Sequence, residues 1–92
     1  MHLSAAAKNW WREVTREYDL SGHHLRLLES ACACMDRAEL ARLAVAIEGM
    51  TFVDANGVIK SNPACSIERD ARTLLARLIR ELNLDQDVAD AG

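Results

Sequence analysis

No stretch of the sequence approaches the roughly 18 consecutive apolar residues that a membrane-crossing helix needs, so no membrane partner is expected. Met1-His2-Leu3-Ser4 lacks a basic segment leading into an apolar one, so no secretory signal is expected. Cysteine is sparse and odd in number. Cys32, Cys34 and Cys65 include two that fall inside a helical pattern, which points to reduced thiols in a cytoplasm. Lysine is scarcer still, with only Lys8 and Lys60 against nine arginines. G-x-G-x-x-G is missing, as is a phosphate loop ending in Gly-Lys-Ser/Thr, so no nucleotide cofactor is expected. Neither an internal repeat nor a low-complexity linker is present.

What is there is one small domain. A chain of 92 residues buries about 60–65 % of the surface that it exposes unfolded, a thin core with no room for two folding units. Half of the residues are apolar and 27 % are charged, an ordinary globular balance. The formal charge of −3 excludes a histone-like polycation. Arginine predominates among the bases, and its planar fork suits phosphate and carboxylate.

The apolar spacing predicts a mainly α fold. A first helix over about 4–19 starts at Ser4 as N-cap and carries Ala7, Trp10, Trp11, Val14 and Tyr18 on one stripe. Ser21 caps a second helix over about 21–48, which Gly49 ends. It is roughly 40 Å long, with a broad, Ala-rich face of Leu28, Ala31, Cys32, Met35, Ala38, Val45 and Ile47. The pattern then turns extended, and a β-hairpin is expected at about 50–60. An Asn56-Gly57 two-residue turn would set Val53 opposite Lys60. A three-residue loop with Gly57 in a bulge sets Val53 opposite Ile59, and is preferred because like then meets like. Phe52 and Val58 would line one face, and Val53 and Ile59 the other. One face is expected to dock on the chain's own helices and the other on a second molecule, so these four residues are the candidate oligomer interface. Asn62 and Pro63 open a third helix over about 63–82, with Ile67, Ala71, Leu74, Leu75, Leu78 and Leu82 as its stripe. Residues 1–84 are expected to form the domain, and the acidic residues 85–92 a flexible tail.

Catalytic and metal chemistry find little support. Cys32 and Cys34 stand about 200° apart around a helix, so both sulfurs cannot reach one ion, and no C-x₂-C spacing exists. Buried thiols and an exposed His23-His24 pair are the simpler reading. No Cys or Ser has a base at a position that the sequence fixes, so no enzyme is expected. The arginines say more. Arg69, Arg72, Arg77 and Arg80 fall within an arc of roughly 140° opposite the leucine stripe, with Glu68, Asp70 and Glu81 at its edges. Such a face either contacts phosphates or is a solvated surface with edge salt bridges. Lys8 and Arg12 form a second basic group. One acidic copy would hold DNA weakly and in a salt-dependent way, and several copies would add up.

The order of these features resembles the small subunit of phage terminase, in the short helical kind found in tailed phages, prophages and gene transfer agents. Leu3 to Trp11, then Val14, Tyr18 and Leu20, then Leu25-Arg26-Leu27-Leu28 look like its opening. Glu48-Gly49-Met50-Thr51, then Asp54-Ala55-Asn56-Gly57-Val58-Ile59-Lys60-Ser61-Asn62-Pro63-Ala64, then Ile67-Glu68-Arg69-Asp70-Ala71 resemble its hairpin, Asn-Pro and Glu-Arg signature. The similarity covers about residues 3–85. It implies a non-catalytic, ring-forming homo-oligomer in the host bacterial cytoplasm that engages double-stranded DNA and regulates the large terminase subunit. By the same analogy Asp85, Asp87 and Asp90 are candidate contacts for that subunit. Many relatives carry an extension before the first helix, whereas here only Met1-His2-Leu3 precede Ser4. Low sequence preference, as a gene transfer agent would need, is therefore expected. Two readings compete: a small DNA-binding regulator with the hairpin as a wing, and a structural adaptor without nucleic-acid binding.

Overall fold

Five elements account for most of the chain, in a computed structural model that describes residues 3–84. They are α1 (Ala5–Glu17), α2 (Gly22–Glu48), β1 (Thr51–Val53), β2 (Ile59–Ser61) and α3 (Pro63–Leu82). Local chemistry sets each boundary. The hydroxyls of Ser4 and Ser21 accept from the N–H groups of Ala7 and His24, satisfying donors that have no partner inside the helix. Asn62 caps α3 through Ala64, with Pro63 in the first turn. Asn83 ends α3 in the left-handed region, at φ 54° and ψ 41°. The first helix stops at Glu17, two residues short of the expected limit.

The two strands pair antiparallel with Val53 opposite Ile59 and Phe52 opposite Lys60, the preferred register. Its loop is held twice. The Gly57 N–H donates to the Asp54 carbonyl at 3.0 Å, and the Asp54 carboxylate accepts from the N–H groups of Asn56 and Val58. Gly57 sits at φ +79°, the left-handed position that the bulge requires.

Leu28 and Leu82 are the largest fully buried side chains. With Ala7, Val14, Ala31 and Cys32 they form the core, where the start of α2 meets α1 and the end of α3. Trp10, Trp11 and Tyr18 are half-buried against it, as the stripe on the first helix predicts. Small residues let α2 and α3 run close together, with Ala38, Ala41 and Ala71 all buried. These two helices share the most extensive interface, and α1 packs more lightly on α2.

Three expectations fail. Neither hairpin face docks on the helices, for all six strand residues are exposed. Ile47, assigned to the buried face of the second helix, is 83 % exposed, whereas Cys34 and Ala41, off that stripe, are buried. Ile67 and Leu74 are also exposed, at 47 % and 40 %. The exposed helix residues share one cause. The first helix is half as long as the second, and among the described residues no further element lies over the α2–α3 pair on its side beyond Asp36. The molecule measures 61 × 22 × 18 Å, with a radius of gyration of 17.0 Å where a compact domain of this size has about 12 Å. Its long dimension exceeds the roughly 40 Å of α2, and the hairpin follows the end of that helix as an exposed arm.

Candidate nucleic-acid interface

The four arginines of α3 divide into two pairs. Arg69 lies 3.2 Å from Asp70, and Arg72 lies 2.9 Å from Glu68, one helical turn earlier. Both contacts are exposed, so each holds its arginine only loosely. Arg77 and Arg80 make no ion pair among the described residues. With Glu81 and Asn83 they line a shallow recess of about 560 Å³ at the C-terminal end of the helix. The acid-flanked face thus has an ion-paired half near the hairpin and, near the core, a half whose two arginines stand unpaired beside Glu81 among the described residues.

Lys8 and Arg12, one turn apart on α1, converge on a second recess of about 390 Å³ that includes Leu3, Trp11 and Glu29. Trp11 offers an aromatic surface there, but Glu29 supplies a negative group at the same place. No ion pair ties Lys8 or Arg12 among the described residues.

Charge balance bears on both groups. Asp85, Asp87 and Asp90 account for the whole formal charge of −3, so the eleven bases of residues 3–84 face eleven acids. The described body is therefore neutral, and its cationic character is local. Those three aspartates, the candidate partner contacts, lie outside the described residues, as does the expected tail.

The cysteines and histidines do not converge. Cys32 and Cys34 are both buried, and the Cys32 thiol donates to the Ala7 carbonyl at 3.6 Å. Burial, and then the charges of Asp36 and Glu29, pushes that thiol up to about 11. His23 is exposed but His24 is half-buried, its Nδ1 2.9 Å from the Ser21 hydroxyl, so the pair is less open than expected. Among the described residues, no three His, Cys, Asp or Glu side chains gather as metal ligands. No helix there is long and apolar enough to cross a membrane.

The hairpin residues Phe52, Val53, Val58 and Ile59 are 45–71 % exposed, brought together at the far end from Arg77 and Arg80. Asn62, only 7 % exposed, secures the arm's root, donating from its side chain to the Gly49 carbonyl at 2.9 Å. Sequence reasoning found the cap but not this second bond, because the bond spans thirteen residues.

This arrangement of helix, long helix, hairpin and arginine-bearing helix is matched along the chain by a family model, described as phage terminase, small subunit, over residues 7–87. The chain belongs to the phage terminase small subunit family. Comparisons with curated proteins and with solved structures return no match. The matched span takes in all of the hairpin and α3, most of α1, and every candidate basic residue. Membership implies a part in DNA packaging, alongside DNA and the large terminase subunit.

Proposed function

We propose that this terminase small subunit works in the bacterial cytoplasm as a non-catalytic homo-oligomeric ring that engages double-stranded DNA and regulates the large subunit. The observation that carries the DNA contact is the bare pair Arg77 and Arg80 on the solvent side of α3. Arg69 and Arg72 join only by exchanging their carboxylates for phosphate, and Lys8 and Arg12 form a secondary contact. Phosphate contacts position a protein without reading bases, so sequence preference is low. A neutral body with few bare cations binds poorly as one copy and gains by repetition around a ring. The hairpin residues Phe52, Val53, Val58 and Ile59 join the copies, and the aspartates after Leu84 meet the large subunit. Residues 1–84 serve as the assembly domain.

DNA retention measured against salt concentration tests this reading. Replacing Arg77 and Arg80 by glutamate removes most retention at low salt. It also flattens the slope of log affinity against log salt by about 0.9 for each phosphate that the protein ceases to neutralise. The equivalent change at Arg69 and Arg72 has the smaller effect. Retention unchanged by Arg77→Glu and Arg80→Glu would refute the assignment.

A further inference from the structure

Nine of the eleven large apolar side chains that stand exposed among the described residues fall between Leu40 and Ile67. Seven of these nine, all but Ile47 and Ile67, fall on two surfaces of different shape. One is the projecting arm, with Val53 65 % and Ile59 71 % exposed. The other is a groove of about 610 Å³, bounded by the start of α1, the middle of α2 and the facing side of α3. Met35, Ala38, Leu40, Leu43 and Leu75 give it an apolar lining, and Leu40 is 68 % exposed. The groove exists because α1 begins beside Asp36, to which its cap Ser4 is tied, and among the described residues the rest of the α2–α3 pair on that side is left uncovered.

We infer that the arm of one copy seats in the groove of the next, as a head-to-tail contact between identical chains. This rests on the homo-oligomer reading above, and it adds which surface receives the hairpin. Three observations choose this occupant. First, the shapes are complementary, a ridge for a furrow, whereas two arms or two grooves meeting would leave each concavity empty. Second, the charges match. At the groove Glu39 pairs with Arg42 and Arg72 with Glu68, while Asp36, which also lines it, is engaged by the N–H and hydroxyl of Ser4; the arm pairs Asp54 with Lys60 at 3.0 Å. A furrow whose charges are all engaged suits an apolar ridge whose charges are engaged too, and it gives DNA no unpaired cation to meet. Third, an arm cannot fill the groove of its own chain. The hydrogen bonds of Asn62 to Gly49 and Met50 fix its root at the end of α2, its six strand residues stand exposed, and none of them lines the groove.

A contact between two different patches of one chain propagates, and closes into a ring when the rotation allows.

Two variants and their mixture test the inference, with the mass read in solution. The arm variant carries Val53→Asp and Ile59→Asp, and the groove variant carries Leu40→Glu and Leu43→Glu. All four positions are exposed, and an unchanged helical circular dichroism signal verifies each fold. The unaltered chain is expected to exceed a dimer, and each variant alone to run at the protomer mass. Mixed in equal amounts, they double in mass and stop there, because one intact arm then meets one intact groove. A disulfide between Ile59→Cys on one copy and Leu40→Cys on another, absent when either is alone, gives the same answer with milder changes. A groove variant that assembles like the unaltered chain, or a mixture that stays at the protomer mass and forms no disulfide, overturns arm-in-groove docking and leaves the homo-oligomer standing. An unaltered chain that is itself a protomer overturns both.

Discussion

Asp36, in the middle of α2, takes both polar groups of Ser4, the backbone N–H at 2.7 Å and the hydroxyl at 2.5 Å. The same hydroxyl accepts from the Ala7 N–H at 3.1 Å. One serine thus starts α1 and fixes it along α2, which sets how far the α2–α3 pair is covered. Ser4→Ala is expected to cost about 1–2 kcal/mol, from the missing cap and the missing bond to a carboxylate. Asp36→Ala should cost a similar amount, and the double variant less than the sum. Denaturant midpoints at a single protomer concentration check this. Additive losses would show that the two side chains act separately.

The two positive-φ glycines of the hairpin region are not equivalent. Gly57, at φ +79°, has nothing within 4 Å of where a Cβ would stand, so only backbone strain opposes a side chain. Gly49, at φ 92° and ψ 167°, occupies a region that is essentially glycine's own. A Cβ there would also meet the Thr51 carbonyl at 3.6 Å, an ordinary contact, so strain again decides. Gly57→Asn is expected to be nearly neutral, since asparagine tolerates the left-handed region, and Gly57→Ala to cost about 1 kcal/mol. Gly49→Ala should cost more, about 1–3 kcal/mol, and release the arm from its fixed direction. Urea midpoints rank the three, and equal values for Gly49→Ala and Gly57→Ala would refute the distinction.

Helix ends and strand register were legible because each depends on neighbours in sequence: Ser4, Ser21, Gly49, and Asn62 with Pro63. The pairing of Val53 with Ile59 followed from matching like residues across a turn. What a side chain faces beyond its own element was less legible. Leu40, Leu43 and Ile47 repeat at three and four on α2, so a second apolar stripe could have been read beside the Ala-rich one. Which stripe is covered depends on where α1 stops, and the Ser4–Asp36 contact spans 32 residues. The hairpin's exposure likewise depends on the direction in which the chain leaves Gly49. Among the arginines, the i,i+4 spacing of Glu68 and Arg72 already favoured a pair. Which arginines stayed bare required the side-chain geometry.

Burial and nearby carboxylates raise the Cys32 thiol from an ordinary value near 9 to about 11. Below pH 9 the thiol is protonated in folded and unfolded chains alike, and its contribution to stability is fully present. As pH rises from about 9 to about 11 the unfolded chain ionises first, so stability is lost across that window. Alkaline unfolding is expected to be shallower in Cys32→Ala over the same range. At pH 8 a thiol reagent should modify the half-buried Cys65 first and reach buried Cys32 and Cys34 only on opening. Mass spectrometry of the alkylated chain reads the order, and Cys32 labelling as fast as Cys65 would contradict its burial.

Asp54 carries the opposite shift. The Val58 N–H, the Lys60 ammonium and the Asn56 N–H all favour its ionised form and hold it below the ordinary value of 3.8. A lowered folded-state value means that the contribution is present above the ordinary range and is lost as pH falls through the lowered one. Amide signals of Asn56 and Val58, followed by NMR from neutral to acid pH, should move with a shared midpoint below 3.8. Asp54→Asn keeps an acceptor for both N–H groups but gives up the charge toward Lys60. Its hairpin should therefore persist through the acid range without that transition. A midpoint at or above the ordinary aspartate value would show that the loop's three donors do not hold the carboxylate in solution. The arm would then enter any interface unordered, and assembly would have to supply the ordering that the turn was expected to provide.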